Sequence, residues 1–126
     1  MVIGIGTDIV DYSRISRLNY KFGIKFAKKI LSESEYLFFQ NLAKKKQVQY
    51  LANCFAAKES TAKALGTGFS NGVRIVDIKL SYDYLGCPNI TLVNRAAIIF
   101  SKKGASQINI SISHEKKLTI AFVIIS

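Results

Sequence analysis

Phe55-Ala56-Ala57-Lys58-Glu59-Ser60-Thr61-Ala62-Lys63-Ala64-Leu65-Gly66-Thr67-Gly68 is the stretch on which the reading of this chain turns. With about 100° per residue and Val48 as origin, Ala52, Phe55, Ala62 and Gly66 fall within roughly 40° of one line, and Glu59 falls at about 20°. A carboxylate therefore points where an amphipathic helix buries its apolar stripe. Ionised there, it is costly unless a cation or several donors meet it. Lys63 stands one turn on, and Glu before Lys at i, i+4 is the favourable order for a helical ion pair. A semi-buried structural pair is thus one reading. The other is a binding site: Lys58 flanks the same face, and Gly66-Thr67-Gly68 follows, a flexible segment whose bare N–H groups approach an anion closely. A carboxylate, two ammonium groups and a Gly-rich turn suit a metal-bound polyphosphate. Gly66 also serves as an ordinary helix C-cap.

The 126 residues fit a single domain, 1–126, and 49% apolar residues with one Pro supply a compact core. The formal charge of +10 predicts attraction to anions without choosing among nucleic acid, a phosphorylated cofactor and an acidic protein. The basic residues are scattered, as on ordinary solvated surfaces. Aromatics occur at helical spacing without interleaved basic residues, which argues against a base-stacking platform. Cys54 and Cys87 have no second Cys or His at metal-ligand spacing and read as reduced thiols. No stretch reaches the eighteen or so apolar residues of a membrane span, and no targeting pattern opens the chain, so the expected compartment is the cytoplasm.

Working outward, Val2 to Asp8 reads as a strand with Ile3 and Ile5 on one face and Gly4, Gly6 and Asp8 on the other. That nearly bare face lets a ligand or another backbone come close. Asp8 is a candidate metal ligand or general base there, and the plainer reading is that Asp8 or Asp11 caps the next helix. A helical pattern runs from Asp11 to about Leu31 with a break at Gly23, and Ser32-Glu33-Ser34-Glu35 offers a capping box. The next helix carries Tyr36, Phe38, Phe39 and Leu42 and ends in Lys44-Lys45-Lys46; the central helix spans about Gln47 to Leu65. Strands are expected over Val73 to Leu80 and Asn89 to Val93, then a short helix capped by Asn94 with Gly104 as its stop. Ile108 to Ser113 alternates as a half-buried strand, His114 to Lys117 reads as a turn, and Leu118 to Ile125 as a strand buried on both faces, by the chain's own helices or by a neighbouring subunit. His114, the only histidine, reads either as a surface turn residue or as part of a site.

Three motifs together, Gly4-Ile5-Gly6-Thr7-Asp8-Ile9-Val10, Phe55-Ala56-Ala57-Lys58-Glu59-Ser60 continuing to Gly68, and Ile112-Ser113-His114, resemble the holo-acyl-carrier-protein synthases, the small bacterial class of 4'-phosphopantetheinyl transferases. The resemblance runs end to end. It implies an α+β fold, an antiparallel sheet packed against helices, in a trimer with active sites between subunits. It implies transfer of the phosphopantetheine arm of coenzyme A to a serine of an acyl carrier protein, in support of fatty acid biosynthesis. By the same resemblance Asp8 and Glu59 hold Mg2+, Lys63 neutralises the diphosphate, and either Glu59 or a metal-bound water near Asp8 takes the serine proton. Lys58, Lys63, Gly66, Thr67, Gly68, Ser113 and His114 are then expected around coenzyme A, and Arg14 against the acidic carrier. Two departures stand out: Cys54 where relatives often have arginine, and Ser60 in place of the usual alanine.

Overall fold

The structure, a computed structural model, describes residues 1–126 as an α+β arrangement. Strand β1 (Gly4–Asp11) leads into α1 (Tyr12–Phe22), α2 (Ile24–Ile30), α3 (Glu33–Gln40) and the long α4 (Lys44–Leu65). A 3₁₀ turn (Ile75–Asp77) precedes β2 (Ile78–Tyr82) and β3 (Pro88–Leu92), then come α5 (Asn94–Lys102), β4 (Ile108–Glu115) and β5 (Leu118–Ile125). One sheet has the antiparallel order β1-β5-β4, and β2 pairs with β3 in a separate antiparallel ribbon.

α4 is the centre of the molecule. Its Ala52, Ala56, Ala57, Ala62 and Ala64 are buried together with Leu51, Cys54, Lys58, Ser60, Thr61 and Leu65, so the helix is covered around most of its circumference. Small side chains permit this, because neighbours approach from several sides at once. The single apolar stripe drawn from the sequence is therefore too narrow. The side containing Val48, Phe55 and Glu59 is only partly covered, and the charged side chain that is fully buried is Lys58.

β1 crosses that helix at very short range. A β-carbon on Gly4 would lie 1.9 Å from the Ala64 carbonyl oxygen, and one on Gly6 would lie 1.8 Å from that of Ser60. The bare strand face foreseen from the sequence thus admits another backbone. Beyond the glycines, Asp8 emerges on the same face, against α4.

Local signals explain most element ends. Asp11 accepts the Ser13 amide at 2.8 Å and caps α1, which leaves Asp8 free of any capping duty. Gly23, at φ 55°, breaks α1 from α2, and Ser32 and Glu35 form the reciprocal capping box of α3. Three expectations are corrected. Lys44-Lys45-Lys46 opens α4 instead of closing α3. Asn94 does not cap α5; its amide donates to Asp77 Oδ1 at 3.0 Å, and Val93 takes the cap position. His114 belongs to β4, whose turn with β5 is only Lys116-Lys117.

β5 is covered on one face only within the chain. Thr119, Ala121, Val123 and Ile125 pack toward α4, while Ile120 and Phe122 stay exposed beside Ile5 and Ile9 of β1.

Candidate active site

The strand-to-helix contact at Gly4 and Gly6 carries Asp8 to a point where four charged side chains share one field. Lys63 Nζ donates to the Thr7 carbonyl at 2.9 Å and to Asp8 Oδ1 at 3.3 Å. The helical Glu59–Lys63 pair is not formed; Lys63 reaches across to β1 instead. Arg14 of α1 lies 5.6 Å over the Phe55 ring, and its charge acts on both Asp8 and Glu59.

Both carboxyls are harder to ionise than usual. For Asp8 burial is the main cause, opposed by the hydrogen bond and charge of Lys63 and by Arg14. For Glu59 burial leads and the charge of Asp8 adds to it, against Lys63 and Arg14. A carboxyl pushed up by burial and by a neighbouring carboxylate, as Glu59 is, calls for a cation between the two.

Asp8 Oδ2 is buried and has no hydrogen-bond partner. An orphaned carboxylate oxygen beside a second carboxylate fits a hard divalent ion such as Mg2+, which takes oxygen ligands. No group of three His, Cys, Asp or Glu side chains assembles anywhere in the chain. Asp8 and Glu59 would thus be the protein's whole share of such a shell, and phosphate and water oxygens would complete it.

Glu59 also borders an apolar groove of about 640 Å³ between α1, α2, α4 and the loop after α4. Phe22, Phe26, Phe55, Phe69 and Val73 line it, and Lys25, Lys29 and Arg74 supply cations. Arg74 is held in place by Asp77, with contacts of 2.8 and 3.2 Å. Sequence reading did not assign this groove, because its walls come from segments that are distant along the chain.

The remaining expected site residues fall elsewhere. Lys58 is wholly buried, with Nζ 2.6 Å from Glu35 Oε1 and 2.7 Å from the Ile30 carbonyl, so it is not a contact for coenzyme A. Its charge is spent inside the protein. Gly66 and Gly68 turn with φ of 79° and 55°, but their amides donate to the Lys63 and Ala62 carbonyls and close the helix, so neither glycine offers a bare N–H to an anion. The Thr67 hydroxyl bonds the Gly68 carbonyl at 2.8 Å. Lys103 Nζ, unassigned in the sequence reading, comes within 3.5 Å of the position a Gly66 β-carbon would take.

Ser113 and His114 sit on β4, which β5 separates from β1. They point to opposite faces of the sheet. His114 Nε2 lies 2.7 Å from Asn53 Oδ1 on the α4 side, whereas Ser113, paired with Ile120, shares the open face. Within one chain neither joins the Asp8 and Glu59 cluster. Cys54 is fully buried, and burial pushes its thiol up to about 12, so the position where relatives often have arginine is a core position here.

The family model described as the 4'-phosphopantetheinyl transferase superfamily matches residues 4–123. The chain belongs to this superfamily, and within it to the holo-acyl-carrier-protein synthases. It is 40% identical to the holo-[acyl-carrier-protein] synthase of Orientia tsutsugamushi strain Boryong over 128 aligned positions, covering 100% of this chain and 98% of that protein. The crystal structure of the Neisseria meningitidis synthase superposes with a TM-score of 0.93 at 42% identity, covering 100% of this chain and 99% of the other. The Helicobacter pylori synthase, solved in complex with coenzyme A, gives 0.82 at 32% identity, covering 97% and 99%. The phosphopantetheinyl transferase fold is thus shown, α+β with antiparallel sheets. No helix is long and apolar enough to cross a membrane.

Proposed function

We propose that the protein moves the 4'-phosphopantetheine arm of coenzyme A onto a serine of apo acyl carrier protein, in a Mg2+-dependent phosphoryl transfer that serves fatty acid biosynthesis. The observation that carries this reading is Asp8 Oδ2, buried and unpartnered, beside Glu59 and Lys63. Relatives named for the reaction, and one solved with coenzyme A, support the substrate pair.

In this reaction the serine hydroxyl oxygen bonds to the pantetheine-side phosphorus of coenzyme A. The bond from that phosphorus to the bridging oxygen breaks, and adenosine 3',5'-bisphosphate leaves. Bound Mg2+, held by Asp8 and Glu59, would neutralise diphosphate charge as a Lewis acid. Lys63, tethered by Thr7 and Asp8, presents a fixed ammonium to the same oxygens. Either Glu59 or a water held beside Asp8 would take the serine proton.

The carrier would dock by charge. Arg14, Arg17, Lys21, Lys25, Lys28 and Lys29 load α1 and α2 with positive charge, and Arg14 stands nearest the two carboxylates. We also assign the open apolar face of Ile5, Ile9, Ile120 and Phe122, which Ser113 shares, to self-association, as a homotrimer with active sites between subunits. The protein acts in the cytoplasm on this reading.

Incubation with apo carrier protein, coenzyme A and Mg2+ is expected to yield carrier heavier by one phosphopantetheine in intact-mass spectra. Glu59→Gln should abolish that gain with the fold intact. Full transfer by this variant would refute the role given to Glu59.

A further inference from the structure

Lys58 and Glu35 form an ion pair that the reaction does not use, and it is the most deeply buried in the protein, with side chains 0% and 3% exposed. Glu35 meets donors on both oxygens. Its Oε1 accepts from Lys58 at 2.6 Å and from the Ser32 amide at 2.7 Å, and Oε2 accepts from the Leu80 amide of β2 at 2.8 Å. Lys58 Nζ also donates to the Ile30 carbonyl at the end of α2, 2.7 Å away. Four elements, α2, α3, α4 and β2, are tied at one point.

We propose that Glu35 is a positioning residue for Glu59: through Lys58 it sets the rotation of α4 about its own axis, so that Glu59 meets Asp8 at the mouth of the groove. The inference rests on the proposed Mg2+ site and adds a residue to it.

The physical case begins with the composition of α4. Apolar burial has no direction, and the small buried side chains of α4, Ala52, Ala56, Ala57, Ser60, Ala62 and Ala64 among them, resist a small turn about its axis less than large ones would. Gly4 and Gly6 set how near β1 comes, and the bonds of Lys58 set which way α4 faces. Glu59 is the next residue. At a side-chain radius of about 5–6 Å, a rotation of about 20° carries its carboxylate about 2 Å, several times the roughly 0.5 Å that a binding constellation tolerates. Ile30 lines the groove, so the same bond from Lys58 also fixes a groove wall. Stability alone is a weak reason for such a pair, since apolar replacement of buried ion pairs is often neutral or better.

The test compares wild type with Glu35→Asp and with the double variant Glu35→Gln/Lys58→Met, which leaves no buried charge unpaired. Mn2+ binding in the presence of coenzyme A is read by electron paramagnetic resonance, kcat and KM for coenzyme A by transfer assay, and folded fraction by circular dichroism. The expected result is folded variants whose Mn2+ affinity and kcat fall about 10–100-fold, as for supporting residues around other metal sites, with KM for coenzyme A changed far less. Adding Lys58→Arg to Glu35→Asp, where the longer side chain spans the gap, should restore much of the loss. Unchanged Mn2+ affinity per folded molecule overturns the proposal, and so does a loss that only tracks the folded fraction, including complete failure to fold. The wild-type arm judges the functional reading separately: no transfer by wild type refutes that reading, while the variant-to-wild-type ratio of Mn2+ affinities judges Glu35.

Discussion

Gly6 lies so close to Ser60 that a β-carbon at residue 6 would sit 1.8 Å from the Ser60 carbonyl oxygen and 2.8 Å from the Ala64 nitrogen. Both are backbone atoms of α4, so neither can swing aside. This contact delivers Asp8, two residues along the same strand face, to Lys63 and the field of Glu59. Gly6→Ala should therefore cost about 3 kcal/mol or more, at or beyond the upper end for overpacked cores. It should also weaken Mg2+-dependent transfer in whatever fraction folds. Urea denaturation that returns wild-type stability would show that α4 yields more easily than its packing implies.

Lys63→Met separates charge chemistry from folding. The Lys63 side chain is about half exposed, so the ion pair with Asp8 should contribute under about 1 kcal/mol to stability. Transfer should fall by about 10²-fold or more, the usual loss for a preorganised group aimed at developing charge. A melting temperature near wild type with kcat near wild type would remove Lys63 from the mechanism.

Asn53 on α4 holds the ring of His114. Its Oδ1 lies 2.7 Å from His114 Nε2 and 3.2 Å from Thr119 Oγ1, while its Nδ2 donates to the Tyr82 hydroxyl at 3.4 Å. Oδ1 being an acceptor, Nε2 carries the ring proton. Asn53→Ala should cost about 1–3 kcal/mol through the partners left unpaired. Because the chain has a single histidine, nitrogen-15 spectra should show a protected Nε2–H in the native protein and its loss in the variant. A protected signal that survives the substitution would mean that another group holds the ring.

Acid stability should depend on Asp77. Burial pushes its carboxyl up, but the hydrogen bonds from Arg74 and Asn94 and the Arg74 charge outweigh it, and the pKa ends below the ordinary value of 3.8. A lowered native pKa adds stability that is fully present above pH 4 and is lost as pH falls through the native value. Asp77→Asn should flatten that acid limb while lowering stability at neutral pH by about 1–3 kcal/mol. Denaturation curves between pH 2 and pH 7 with an unchanged acid limb would contradict the assignment.

The two cysteines should behave oppositely. Cys54 is buried with its thiol pushed up to about 12, and Cys87 is exposed in the turn between β2 and β3. A thiol reagent should titrate one group in native protein and both in denaturant. Rapid reaction of both in native protein would mean that α4 opens readily.

The comparison of Glu59 with Lys58 shows how far residue patterns carry. Periodicity placed Glu59 in the apolar stripe, and the structure places it at the half-buried edge of a groove, with Lys58 in the core instead. A helix wheel measures angles along one helix, whereas burial depends on what packs against each side. Asp8 was legible as a residue on a bare strand face, and the cap of the next helix as either Asp8 or Asp11, between which the structure chooses Asp11. The Asp8–Lys63 bond was not, because it joins residues 55 positions apart.

By itself the sequence determined the order of elements, the capping box at Ser32, the break at Gly23 and the bare face at Gly4 and Gly6, because these depend on φ preferences, local hydrogen bonds and side-chain size within a few residues. Only the tertiary structure decided that Lys58 turns inward to Glu35, that Lys63 crosses to Asp8 and that Asp8 keeps one oxygen without a partner. Those outcomes are choices among competing partners for a charge, and a charge is matched by whatever group the folded chain brings within reach, however distant along the sequence.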